Sequence, residues 1–196
     1  MSERPVRRDA RRNRERVLDE ARAMFAHGTA TPSFDAIARA AGVGVGTVYR
    51  HFPTRESLIE GVYEAELDDL TGVVDDLLAQ LAPADALREW MRRYVRFFTT
   101  KSVIIDTLRA GWSSGSMTTP ATRERITAAV ASIVAAGVDA GSLRADVDPD
   151  DITGMVLGVL MSTGPDDPAK TDRMLSLIAD AVTVPPRSPV DQAKSG

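Results

Sequence analysis

Residues 34–58 read FDAIARAAGVGVGTVYRHFPTRESL, and they contain two short apolar patterns of helical spacing on either side of a glycine-rich turn. The patterns cover residues 34–41 and 45–51. Ala38 and Ala41 are small enough for two helices to cross closely, and Gly42 can take backbone conformations that other residues avoid. Two short helices joined by such a turn are typical of a helix-turn-helix, although a hairpin within a helical bundle has the same periodicity.

The charges are divided unevenly along the chain. Residues 1–55 hold eleven arginines and six acidic residues, whereas the rest holds 13 basic and 22 acidic residues, so that the net charge of −4 hides a basic N-terminal part. This asymmetry favours a polyanionic partner for the first part of the chain. Seven arginines stand within residues 4–16, and they either follow DNA phosphates or form a solvated tail.

The rest of the pattern predicts an all-α protein of about nine helices. Ala and Leu are abundant, aromatic residues make up only 5%, and no stretch alternates in the manner of a strand. After the two short helices we expect a helix over 54–81, which is continuous or broken near Gly72. The other helices are expected at 9–27, 83–100, 103–112, 121–140 and 171–183. One more is expected to start within residues 148–151 and to end at 161.

Several classes of site and location are excluded or disfavoured. The absence of cysteine excludes disulfides, thiolate metal sites and cysteine nucleophiles. No apolar run approaches the ~18 residues of a membrane span, and no apolar segment follows the basic N-terminus as in a secretory signal. We therefore expect a cytoplasmic protein without a membrane partner, a cofactor or a metal ion. Without a phosphate-binding loop or a catalytic triad, an enzyme remains a remote alternative.

The same run resembles the DNA-binding segment of the TetR family of bacterial regulators. Gly46, Thr47, Tyr49, Phe52 and Leu58 all fall in the register of the family pattern, and the likeness extends upstream as far as the first predicted helix. It covers about a quarter of the chain. The resemblance implies a helix-turn-helix domain at 1–55, a ligand-binding and dimerisation domain at 56–184, and a tail at 185–196 that we expect to be disordered.

Two residues depart from the family pattern. Gly44 stands where the family usually has serine, so we expect the second helix of the motif to lack a side-chain cap. Arg55 stands where lysine is usual, which keeps the positive charge and adds the possibility of a bidentate contact.

The resemblance assigns roles to eight residues at a double-stranded operator DNA. The residues expected to contact phosphates are Ser33, Thr47, Tyr49, His51 and Arg55. The residues expected to face base edges are Val45, Gly46 and Arg50. Arg50 is the candidate for reading guanine because its guanidinium matches the O6 and N7 acceptors, although a simple phosphate contact is the alternative.

For the body of the protein the resemblance implies a pocket for a small-molecule effector and a homodimer interface. The expected pocket holds most of the large side chains: Trp90, Met91, Tyr94, Phe97, Phe98, Leu108, Trp112 and Met117. The expected interface lies on the last two helices: Gly154, Met155, Gly158, Val159, Leu175 and Ile178. A helical core needs similar residues, and it competes for members of both sets.

These features predict a transcriptional repressor that a small molecule releases from its operator. An activator or a dual regulator with the same motif is the alternative, since the sign of regulation depends on where the operator lies.

Overall fold

The computed structural model describes residues 3–27, 32–114, 121–163 and 167–185. Within these ranges the protein is entirely helical apart from one isolated bridge between Leu143 and Thr183. The helices are α1 (Glu3–His27), α2 (Phe34–Ala40), α3 (Val45–His51), α4 (Arg55–Gly72), α5 (Val74–Gln80), α6 (Pro83–Ser114), α7 (Thr122–Asp139), α8 (Pro149–Thr163) and α9 (Pro168–Val182). The predicted all-α class is confirmed, and in the described ranges none of these helices is long and apolar enough to cross a membrane.

Three predicted boundaries were wrong. The first helix starts at Glu3 rather than near residue 9, because the polar, arginine-rich start contains no helix-breaking residue beyond Pro5 in the first turn, where proline is tolerated. The segments 83–100 and 103–112 form one helix, since the polar run at 99–102 contains neither glycine nor proline. The last helix starts at Pro168, where the Asp167 side chain accepts a hydrogen bond from the Lys170 main-chain N–H.

The structure decides the question that the sequence left open near Gly72. Helix α4 ends at Gly72, and α5 begins at Val74. Glycine is the least favourable non-proline residue inside a helix, which is consistent with the end of α4 at this position.

The chain forms two compact units. The first comprises Met1–Asp69 and Arg96–Ala121, and the second comprises Leu70–Val95 and Thr122–Gly196. The first unit buries apolar side chains of the first four helices, among them Val17, Leu18, Phe25, Ile37, Val48, Phe52, Leu58 and Ile59. The second buries a separate set that includes Leu87, Trp90, Ile126, Val130, Ile133, Ile152, Val156 and Leu175.

In the first unit, ion pairs join α1 to α4. The Arg22 Nη1 atom lies 2.8 Å from Asp69 Oδ2, and its Nε atom lies 3.2 Å from Glu66 Oε1 without the alignment of a hydrogen bond. Burial raises the pKa of Glu66, which the positive charge of Arg22 partly offsets. These contacts fix α1, which packs on α2 and α3, to the second half of α4.

Candidate nucleic-acid interface

The turn between α2 and α3 depends on Gly42. Its φ is +62°, in the left-handed region that glycine enters without strain. The main-chain N–H groups of Gly42 and Val43 donate to the carbonyls of Arg39 and Ala38, which closes the end of α2. Ala38 and Ala41 are buried beside the turn. Small side chains and a left-handed glycine thus bring α3 close against α2, as the sequence predicted.

Helix α3 buries one side and exposes the other. Val48 is fully buried, whereas Val45 and Tyr49 are 37% and 54% exposed. Gly46 and Arg50 are exposed beside them. Residues four apart on a helix are neighbours, so Val45 with Tyr49 and Gly46 with Arg50 form two adjacent rows. A narrow helical surface of this kind can enter the major groove of DNA.

The start of α3 has no side-chain cap. Gly44 occupies the N-cap position with extended backbone and makes no side-chain hydrogen bond, as expected from the missing serine. A Cβ atom built at Gly44 or at Gly46 meets no other atom within 4 Å. At Gly44 and Gly46 the exposed surface at the start of α3 therefore consists of main-chain atoms that no side chain covers.

Serine and threonine side chains fix the starts of α2 and α4. The Ser33 Oγ accepts a hydrogen bond of 3.2 Å from the Ala36 main-chain N–H and thereby caps the start of α2. Thr54 and Ser57 exchange hydrogen bonds, since each side-chain oxygen accepts from the other residue's main-chain N–H at 3.1 and 3.2 Å. This reciprocal cap holds the exposed Arg55 at the first position of α4.

Tyr49 and His51 extend the surface from both sides of α3. The Tyr49 ring packs against Phe34 at 4.8 Å between centroids while the residue stays largely exposed. His51 is half-buried, and its pKa is lowered by burial and then by the positive charges of Arg14 and Arg50. At neutral pH its imidazole is therefore uncharged and can donate one hydrogen bond.

Comparison with known proteins identifies this surface. Residues 17–62, which span the whole helix-turn-helix, match the family described as bacterial regulatory proteins of the tetR family. Residues 82–183 match the C-terminal domain described as that of SbtR-like transcriptional regulators. The chain belongs to the TetR family. It is thus a transcriptional regulator of a family that binds DNA through the helix-turn-helix.

Solved structures extend the likeness of this TetR-family regulator over nearly its whole length. The TetR transcriptional regulator SCO0520 from Streptomyces coelicolor is 38% identical, with a TM-score of 0.79 over 88% of this chain and 99% of that one. A TetR regulatory protein from Mycobacterium vanbaalenii is 33% identical, with a TM-score of 0.72 over 92% and 100% of the two chains.

Curated relatives match over a shorter stretch. The regulator SAR0097 from Staphylococcus aureus is 31% identical over 81 residues, which are 40% of this chain and 42% of that protein. The regulator SAUSA300_2515 of the same species is 38% identical over 64 residues, which are 35% of its length. The chain therefore spans less than half the length of these curated relatives.

The structure of this TetR-family chain places the expected pocket residues mainly in its cores. The buried members of the set are Trp90, Met91, Tyr94, Phe97 and Leu108, whereas Phe98 is half-buried. The Trp112 side chain and Met117 lie outside the residues whose placement is described. A separate cavity of 320 Å³ lies between α5 and α7. Its lining residues, none of which belongs to the expected set, are Thr71, Gly72, Val74, Asp75, Arg125, Ala128, Ala129 and Ser132.

The expected interface residues divide between two sides of α8 and α9. Val159, Leu175 and Ile178 are buried within the chain, whereas Met155 and Gly158 are exposed. Sequence reasoning missed two further apolar side chains, Met161 at 72% and Leu177 at 67% exposure. Both residues lie off the apolar face that their helix buries in the chain, and this position in the helical periodicity is the signal that could have identified them as exposed.

Proposed function

We propose that this TetR-family regulator is a homodimeric repressor whose α3 enters the major groove of its operator and whose DNA affinity a small molecule lowers. The main support is the exposed surface of α3, where the long hydrogen-bond donor Arg50 lies beside the small residues Val45 and Gly46. A guanidinium can form two parallel bonds with guanine only if its neighbours let the helix approach closely. The open main chain at Gly44 and Gly46 permits such an approach.

Arg50 and Arg55 differ in what they are placed to contact. Arg50 lies on the outer face of α3, whereas Arg55 lies at the capped start of α4. Base contacts specify sequence and phosphate contacts position the protein. We therefore assign base reading to Arg50 and a phosphate contact to Arg55, together with Thr47, Tyr49 and the region capped by Ser33.

Arg50→Ala should weaken binding to the preferred operator about 5- to 150-fold, equivalent to ~1–3 kcal/mol, and relax the preference at one base pair of each half-site. The operator is first selected by the wild-type protein from duplexes of random sequence, and affinities are then measured by fluorescence anisotropy. Arg55→Ala is the comparison variant, and it should weaken binding to all sequences alike. The proposal fails if the wild type selects no sequence, and the role of Arg50 fails if its variant keeps the wild-type base preference.

Homodimerisation is supported by the exposed apolar row on α8 and α9. Met155, Met161 and Leu177 are large apolar side chains that the chain itself leaves uncovered. Gly158 lies among them, and nothing stands within 4 Å of a Cβ atom built on it. Such a surface suits a second copy of this chain, because the same small and apolar residues then meet across a two-fold axis.

Gly158→Leu should shift the protein from dimer towards monomer, since the added side chain would hold the two copies apart. Sedimentation velocity at micromolar concentration measures the shift. Gly72→Leu is a matched control, because Gly72 is also exposed with open space around it. A monomeric wild type would contradict the dimer, and a dimeric Gly158→Leu protein would place the interface elsewhere.

Release by a ligand requires that the ligand bind more tightly to a state that does not fit the operator. The candidate for contact with an apolar molecule is Phe98 of α6, an aromatic side chain that is only half-buried. Footprinting on the regulated promoter distinguishes repression from activation through the position of the operator.

A further inference from the structure

Two side chains from different helices, Arg14 of α1 and His51 of α3, lie beside one buried ring. The Arg14 Cζ atom of α1 lies 5.2 Å from the centre of the Phe52 ring, which is 2% exposed. The His51 ring lies 6.4 Å from the same ring, and Arg50 precedes it at the end of α3. Phe52 thereby holds the Arg14 guanidinium, through a cation–π contact, beside the end of the recognition helix.

Within the ranges that the structure describes, no carboxylate pairs with Arg14, Arg50 or His51. The charges of Arg14 and Arg50 reach His51 strongly enough to contribute to its lowered pKa, after the larger effect of burial. Like charges held together without a counter-ion are unfavourable, and an anion between them removes the repulsion.

Other arginines of α1 are arranged differently. Arg11 is paired with Glu15 on the same helix at 2.8 Å, and Arg22 is paired with Asp69 of α4. Both arginines therefore already form ion pairs within the chain. Arg14 is instead positioned by an uncharged ring, which leaves its N–H groups available to an external acceptor.

We propose that Arg14, together with His51, forms a binding site for a backbone phosphate of duplex DNA, so that α1 takes part in the interface outside the helix-turn-helix. The inference rests on the proposed DNA binding and adds a contact to it. The planar guanidinium can donate two hydrogen bonds to one phosphate, and the neutral imidazole can donate a third. The contact is independent of base sequence, and it would fix the end of α3 relative to the DNA backbone.

The first test is the salt dependence of binding to a duplex of random sequence. Arg14→Gln should lower the slope of log affinity against log salt concentration by about 1 for each copy of Arg14 that contacts the duplex, and therefore by about 2 for the dimer, and should weaken binding roughly a hundredfold at ~0.1 M salt. Arg11→Gln removes the same charge from the same helix, but it should leave the slope close to that of the wild type because Arg11 is paired with Glu15. Arg14→Lys should keep the wild-type slope, since the charge remains.

The outcomes separate this inference from the proposed function. If the wild type binds no duplex even at low salt, DNA binding itself is refuted. If the wild type binds and the salt-dependence slope falls by the same amount in Arg14→Gln and Arg11→Gln, Arg14 contributes only net charge and the inference is overturned. If Arg14→Gln lowers the melting temperature but leaves the slope unchanged, Arg14 merely stabilises the negative end of the α3 dipole, and the inference is again overturned.

A second readout uses the two histidines of the chain, which NMR can follow separately. The charged groups that act on His51 are Arg14 from α1 and Arg50 from α3. Addition of duplex DNA should raise the pKa of His51, because a phosphate favours the imidazolium. The shift should be smaller in Arg14→Gln, and inorganic phosphate should not reproduce it. An unchanged His51 pKa in the DNA complex would contradict the site.

Discussion

Trp90→Ala should lower the free energy of unfolding by about 3–5 kcal/mol. Trp90 is completely buried, and its ring lies 5.5 Å from that of Tyr94, so truncation leaves a large cavity in the second unit. Its Nε1–H also donates a hydrogen bond of 3.0 Å to the Leu70 carbonyl. Leu70 lies in the last turn of α4, where main-chain carbonyls have no partner within the helix.

Urea unfolding followed by circular dichroism measures this effect, and Trp90→Phe is the control. Phenylalanine keeps most of the volume but leaves the Leu70 carbonyl without its donor, so a smaller loss of about 1–3 kcal/mol is expected. A loss under about 1 kcal/mol for Trp90→Ala would mean that the side chain borders a solvent-filled pocket. The ligand response is therefore better tested at Phe98, whose side chain is only half-buried.

Gly137→Val should destabilise the protein by about 3 kcal/mol through overpacking, even though valine is slightly favoured over glycine in a helix. A Cβ atom at Gly137 would overlap with Cγ and Cδ1 of Leu143 and lie 2.8 Å from its Cβ. The segment cannot move away easily, because the main-chain N–H groups of Ser142 and Leu143 both donate to the Gly137 carbonyl, at 2.8 and 3.0 Å. Thermal unfolding measures the loss.

A double-mutant cycle checks the cause of this loss. Leu143→Ala removes Cγ and Cδ1, the two nearest atoms, and keeps only Cβ, so Gly137→Val should cost clearly less in a Leu143→Ala background than in the wild type. Equal costs in the two backgrounds would refute steric overlap with Leu143 as the cause.

The helix-turn-helix could be predicted because its determinants are local. A left-handed glycine at 42, small residues at 38 and 41 and a cap at Ser33 act within a few residues of one another. The position at which a helix ends is harder to predict from the sequence than the turn of the helix-turn-helix. The polar residues at 99–102 suggested a break, yet nothing in their main-chain preferences prevents a continuous α6.

The interface residues could not be separated from the core by sequence alone. Helices α8 and α9 are apolar on more than one side, so periodicity cannot tell which side meets the chain itself. The structure turns Val159 and Ile178 inward and leaves Met161 and Leu177 outside. The contact between Arg14 and Phe52 could not be predicted for a related reason: residues 14 and 52 lie far apart along the chain, and only folding brings them together.

The absence of side chains from Gly44 and Gly46 at the start of α3 also limits how many DNA base pairs one copy of the protein can distinguish. A genome presents about 10⁶–10⁹ competing sites, so unique recognition needs roughly 20–30 bits, or about 10–15 fully specified base pairs. A helix that presents glycine at 44 and 46 and one long donor at 50 supplies only a fraction of this. A Cβ atom built at position 46 has no neighbour within 4 Å outside the adjacent main chain, so a small side chain there is compatible with the fold of the chain. In the proposed binding mode, the two copies of α3 in a dimer would therefore have to read the operator together.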